Sequence, residues 1–118
     1  MAEKNKITIY HNPRCSKSRQ ALALLTENAI EPIVVEYLKS PYTKEQLRTL
    51  CKKLNVRAQD LIRKNEAVYK ERFADSELSE EEWIDAMVTH PILVERPIIE
   101  NANTAVVGRP PERAMEII

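Results

Sequence analysis

A chain of 118 residues is long enough for one compact unit to bury a single core without disulfides or a structural metal. Its 18 lysines and arginines balance 18 aspartates and glutamates, so nothing suggests the basic footprint of nucleic-acid binding or attraction to an anionic membrane. The two cysteines, Cys15 and Cys51, fit neither a disulfide framework nor a zinc spacing. The sole glycine, Gly108, excludes both a glycine-rich dinucleotide fingerprint and a P-loop.

The opening "MAEKNK" is charged, and no apolar stretch long enough for a signal peptide or a membrane span follows it. The expectation is a soluble cytoplasmic protein with reduced thiols. "KITIYH" then supplies a short apolar, β-branched run stopped by Asn12 and Pro13, which predicts a buried strand. From Ser16 or Lys17, the residues Ala21, Leu22, Leu24 and Leu25 form a helical face, with Asn28 at its end. "EPIVVEYL" predicts a second strand, completing a βαβ unit with parallel strands. Cys15 falls at the carboxyl end of the first strand, where open α/β sheets bind ligands.

Residues 41–90 read as helical in several pieces. "TKEQ" and "SEEE" fit capping boxes ahead of apolar stripes, and a break is expected near Asn65. Beyond "HPILVERP", two apolar runs around Asn101, Ala102 and Asn103 predict a hairpin, and "PPERAMEII" a short last helix.

The local chemistry centres on Cys15. It precedes a helix whose unpaired N–H groups and dipole favour a thiolate, and His11, Arg14, Lys17 and Arg19 add charge close in sequence. A small buried residue closing a strand is the bland alternative. For His11 the alternatives are a hydrogen-bonded strand-end histidine and electrostatic support of Cys15. Spacing excludes two mechanisms: a Cys-x-x-Cys dithiol would need cysteine where Ser18 stands, and a Cys-x5-Arg phosphatase loop would need arginine where Ala21 stands. Cys51 lies on an apolar stripe with Leu47, Leu50 and Leu54 and reads as core. Oxyanion chemistry at Cys15 would need distant cations. Arg63 in "LIRKN", Arg96 before a proline and Arg109 after the glycine occupy suggestive settings, each with a solvated surface arginine as the alternative.

Together "ITIYHNPRCSKSR", "LIRKN", "HPILVERPI" and "VVGRP" resemble the glutaredoxin-coupled arsenate reductases, the ArsC family, from about Lys6 to the C-terminus. The resemblance implies one α/β domain over residues 1–118. Its fold would be thioredoxin-like, with βαβ and ββα halves in one mixed four-stranded sheet, a helical insertion at about 41–90 and a cis peptide before Pro97. It also implies that Cys15 attacks arsenate or a similar oxyanion, that Arg63, Arg96 and Arg109 bind it, and that His11 and Ser18 support the thiolate. Asn12 and Lys17 join the substrate-binding candidates, and Lys17 with Ser16 departs from the best-known reductases. No tightly bound cofactor is implied; glutathione would be a co-substrate and glutaredoxin the partner that restores it. Two readings compete: an Spx-like protein that shares the fold and binds the RNA polymerase α subunit, against which Ser18 weighs, and a glutathione-dependent thiol transferase.

Overall fold

A computed structural model describes residues 6–118; most of the charged opening segment, read above for a leader, lies outside them. The described chain divides into two compact units, one formed by the residues up to Ser40 with Arg96–Ile118, the other by Pro41–Glu95.

The first unit is built on a four-stranded sheet. Strand β1 (Thr8–His11) leads to helix α1 (Ser16–Glu27) and strand β2 (Ile33–Glu36), and strands β3 (Ile98–Glu100) and β4 (Ala105–Val107) form the hairpin. The order is β2-β1-β3-β4, with β1 and β2 parallel and the other two pairings antiparallel. The βαβ and hairpin expectations both hold. The core on one face joins Ile7, Ile9 and Ile99 to Ala21 and Leu25 of α1 and to Ala114 and Ile117 near the C-terminus. That last element, Pro111–Ile117, is a 3-10 helix that starts on Pro111, with Pro110 as its N-cap.

Side chains at one-turn spacing make the buried stripe of α1, namely Ser18, Ala21 and Leu25. Ser18 is the polar member of that stripe and is fully buried. The helix stops at Asn28, whose Nδ2 donates to the Leu24 carbonyl at 2.7 Å. In the hairpin turn, the Asn101 Oδ1 accepts the N–H groups of Asn103 and Thr104 at 2.8 and 2.7 Å.

The second unit is helical: α2 (Lys44–Leu54), a 3-10 turn (Ala58–Leu61), α3 (Ala67–Arg72), α4 (Glu80–Thr89) and a 3-10 turn (Pro91–Leu93). Both expected capping boxes form, Thr43 with Gln46 and Ser79 with Glu82. The expected interruption near Asn65 lies between the first 3-10 turn and α3. Trp83 packs against Tyr69 and Phe73, with ring centroids 6.4 and 5.9 Å away. Among the described residues no helix is long and apolar enough to cross a membrane.

Candidate active site

Topology brings three distant segments to one end of the sheet. Tyr10 of β1 lies opposite Ile98 of β3, and Ile98 lies opposite Val107 of β4. Because both pairings are antiparallel, the exit of β1, the approach to β3 and the exit of β4 share that end. Cys15 follows the first, Arg96 precedes the second and Arg109 follows the third. Gly108 tightens the junction: its N–H donates to the Pro97 carbonyl at 2.8 Å. A Cβ there would fall 2.9 Å from Ile99 Cδ1 and 3.0 Å from Pro97 Cγ, so the sole glycine is fixed by close approach. The Arg96–Pro97 peptide is cis, as the resemblance implies, and so is Arg109–Pro110, which the sequence reading did not anticipate.

The loop carrying Cys15 is braced by its own backbone. The Cys15 N–H donates to the Asn12 carbonyl at 3.0 Å, and the Asn12 side-chain oxygen accepts the Arg14 N–H at 3.0 Å. Arg19 reaches back from α1, and its Nη1 donates to the Pro13 carbonyl at 2.8 Å. Cys15 is the N-cap residue of α1, extended at φ −96° and ψ 122°, and only half-buried. Free N–H groups of the first helical turn therefore lie next to its sulfur.

The thiol of Cys15 is held below its ordinary pKa. Burial is the largest influence and opposes ionisation; it is outweighed by the Ser18 backbone N–H, the Arg96 guanidinium, the Lys17 backbone N–H and Arg109 acting together. The Cys15 side chain makes no cap hydrogen bond on α1, but the two amides favour the charged form. Arg96 and Arg109, distant in sequence, supply the named cationic influence. Of the cations near in sequence, Arg19 braces Pro13, Arg14 is exposed, and Lys17 is an exposed side chain whose amide faces the sulfur.

His11 and Ser18 are both buried, and the His11 Nδ1 and Ser18 Oγ lie 2.6 Å apart. Ser18 Oγ also accepts the Asn12 N–H at 3.0 Å. The His11 imidazole is held below its ordinary pKa, chiefly by burial; Glu36 pulls it upward and Arg19 pushes it further down. At neutral pH His11 is uncharged, so its connection to Cys15 runs through Ser18, whose side chain it holds and whose backbone N–H serves the sulfur. Sequence reasoning named His11 and Ser18 but missed Glu36. The signal available was the parallel register of a βαβ unit, which sets Glu36 opposite His11.

Arg63 belongs to the helical unit, where its Nη2 pairs with Glu66 at 2.8 Å and its Nη1 donates to the Ile92 carbonyl at 3.3 Å. The Arg63 backbone N–H also donates to the Leu93 carbonyl at 2.8 Å. Cys51 is buried on α2, and its thiol is pushed up to about 11 by burial, with Glu80 and Asp60 adding to the effect. It is core, as its stripe predicted. Among the described residues no cluster of three or more His, Cys, Asp or Glu could hold a metal ion.

A mixed β2-β1-β3-β4 sheet carrying a low-pKa cysteine at the N-terminus of its first helix defines a thioredoxin-like thiol domain. The ArsC family model matches residues 10–117, and the chain belongs to that family. A protein of Escherichia coli strain K12 named "Uncharacterized protein YfgD" is 52% identical over 115 residues, covering 96% of this chain and 97% of that one. A protein of Haemophilus influenzae named arsenate reductase is 41% identical over 114 residues, covering 95% of this chain and 98% of its own length. A solved structure titled arsenate reductase from Vibrio cholerae superposes with a TM-score of 0.91 at 43% identity, covering 96% of this chain and 98% of that one.

Proposed function

We propose that the protein is an arsenate reductase in which the Cys15 thiolate attacks arsenate held by arginines, with glutathione and glutaredoxin resolving the adduct. The observation that carries this reading is the convergence of Arg96 and Arg109 on a half-buried thiol of lowered pKa at a helix N-terminus. A thiolate is the nucleophilic form of cysteine, and guanidinium forks match the oxygens of a tetrahedral oxyanion. The relatives named arsenate reductase support the choice of substrate. Arg63 is assigned to the same oxyanion by the family resemblance, and Asn12 and Lys17 border the loop that would receive it.

The chemistry divides into binding, attack and resolution. Arg96 and Arg109 neutralise the incoming anion and favour the thiolate together. The Cys15 sulfur bonds to arsenic, and an arsenate oxygen leaves as water after taking up protons. Reduction of As(V) to As(III) takes two electrons, which two thiols supply as they couple into a disulfide. One is Cys15; glutathione supplies the other, since Ser18 occupies the position a local resolving cysteine would need and the buried Cys51 thiol stays protonated at neutral pH. Arsenite is released, and glutaredoxin with further glutathione returns the mixed disulfide to thiols.

The test is arsenite formation by the purified protein with arsenate, glutathione and glutaredoxin, beside Cys15→Ser. Dependence on all three reagents and loss in the variant are expected; activity retained by Cys15→Ser would overturn the reading. A thiol transferase needs the thiolate without the arginines. Loss of arsenate turnover in Arg96→Ala far beyond the slowing of glutathionylated-peptide reduction that the raised Cys15 pKa causes in the same variant would separate oxyanion binding from thiol transfer.

A further inference from the structure

We propose that Glu36 is a positioning residue for Cys15, acting through the His11 imidazole and the Ser18 side chain, a role that rests on the reading of Cys15 as the working thiol. The observations form a chain across three elements. Glu36 on β2 is the register partner of His11 on β1, so the two side chains project from the same face of the parallel pair. His11 Nδ1 lies 2.6 Å from Ser18 Oγ on α1. Ser18, through its backbone N–H, is the largest of the influences stabilising the Cys15 thiolate.

Hydrogen-bond bookkeeping fixes the direction of the chain. Ser18 Oγ already accepts the Asn12 N–H at 3.0 Å. Its hydroxyl proton needs an acceptor, because a fully buried hydroxyl left unsatisfied is costly. His11 Nδ1 is the acceptor in reach, which requires the neutral imidazole to carry its proton on Nε2. A carboxylate facing the ring would stabilise that positive N–H end, and Glu36, opposite His11 in the strand register, is the acidic group that acts on the ring. The other charged group acting on the ring is Arg19 of α1, which opposes any further proton. From β3, the Glu100 carboxylate is engaged by the Tyr10 hydroxyl at 2.8 Å. The imidazole therefore stays neutral with a defined tautomer, and Ser18 is held at both of its hydrogen-bonding positions. With the opposite tautomer, Nδ1–H and Asn12 N–H would both donate to Ser18 Oγ and its proton would have no place. The first turn of α1, and with it the amide facing the sulfur, would then be less firmly held.

Glu36 is well suited to a test because its side chain is 41% exposed, so replacement leaves no buried void. The experiment uses the full chain and no arsenate: nitrogen-15 NMR of the His11 ring at pH 7.5, and the rate of Cys15 alkylation by iodoacetamide at pH 7. In Glu36→Gln the ring is expected to change from the Nε2–H form to a mixture of tautomers. Alkylation should slow by up to about threefold, the change in thiolate fraction that half a pKa unit produces in a mostly protonated thiol. Glu36→Asp should retain both wild-type readings. Lys39→Met controls for the Glu36–Lys39 ion pair at 3.5 Å; it should change neither reading, and if it reproduced the Glu36→Gln result the role would be that of a turn brace and the proposal would fail. Wild-type readings in Glu36→Gln would overturn it, as would faster alkylation, which would mean that the carboxylate acts on the sulfur directly. Loss of arsenate turnover plays no part in these readings, so failure here is distinct from failure of the reductase assignment.

Discussion

The 2.6 Å separation of His11 Nδ1 from Ser18 Oγ ties the last residue of β1 to the third residue of α1, inside the unit that carries Cys15. Removing the hydroxyl in Ser18→Ala leaves the part-buried Asn12 N–H and the buried His11 ring nitrogen without it. The cost should be about 1–3 kcal/mol of stability, the range for an unsatisfied buried polar group. Urea unfolding followed by circular dichroism measures it, and a loss well under 1 kcal/mol would show that the network is not buried as described.

Arg96 and Arg109 both hold the Cys15 thiol down, with Arg96 the stronger. Removing a cation that favours the thiolate raises the thiol pKa, so Arg96→Ala should move the pH profile of Cys15 alkylation to higher pH, and Arg109→Ala should do the same to a smaller extent. Thiolate absorbance at 240 nm across the same pH range provides an independent reading. An unmoved profile in Arg96→Ala would separate that guanidinium from the sulfur.

Cys51 supplies an internal control. Its thiol is buried and pushed up to about 11, so at pH 7 to 8 the folded protein should take up one alkyl group, at Cys15. Mass spectrometry before and after denaturation checks this: one label native, two unfolded.

Much of this organisation was legible in the chain. The short apolar, β-branched run of "KITIYH" and the helical apolar spacing after Ser16 pointed to the βαβ unit, and Thr43 with Gln46 and Ser79 with Glu82 announced their capping boxes. The source of charge on Cys15 was less accessible. Arg14 and Arg19 are near in sequence, yet one is exposed and the other braces Pro13, while Arg96 and Arg109 approach through antiparallel pairing across the sheet. Composition cannot reveal that pairing; the family resemblance pointed to both arginines. Glu36 escaped because its significance comes from register, and the half-exposed glutamate at a strand end carries no local signal.

Gly108 should be intolerant of even a methyl group. The added carbon would meet Ile99 Cδ1 at 2.9 Å and Pro97 Cγ at 3.0 Å, both on buried side chains. Gly108→Ala should cost about 1–3 kcal/mol by overpacking, seen as a lowered Tm. Because Arg109 is the next residue, a shift of this junction should also move the Cys15 alkylation profile toward higher pH. A Tm equal to wild type would mean that Ile99 relaxes without strain.

His11 makes a prediction about stability against pH. Its imidazole is held below the ordinary value, chiefly by burial, so between pH 7 and 5 the unfolded chain binds the proton more readily than the folded one. Stability rises with pH wherever the unfolded state holds more protons. The contribution of neutral His11 is therefore complete above the ordinary imidazole pKa of about 6.5 and is lost as the pH falls below it. Urea midpoints at pH 7.5, 6.5 and 5.5 should decline through this window in the wild type. In His11→Gln, which keeps an acceptor for the Ser18 hydroxyl without a titrating ring, the decline should be shallower. Equal slopes in the two proteins would show that His11 carries the same pKa folded and unfolded. Glu36→Gln should act in the opposite sense to His11→Gln, because removing a carboxylate that pulls the imidazole pKa upward deepens its depression and steepens the decline.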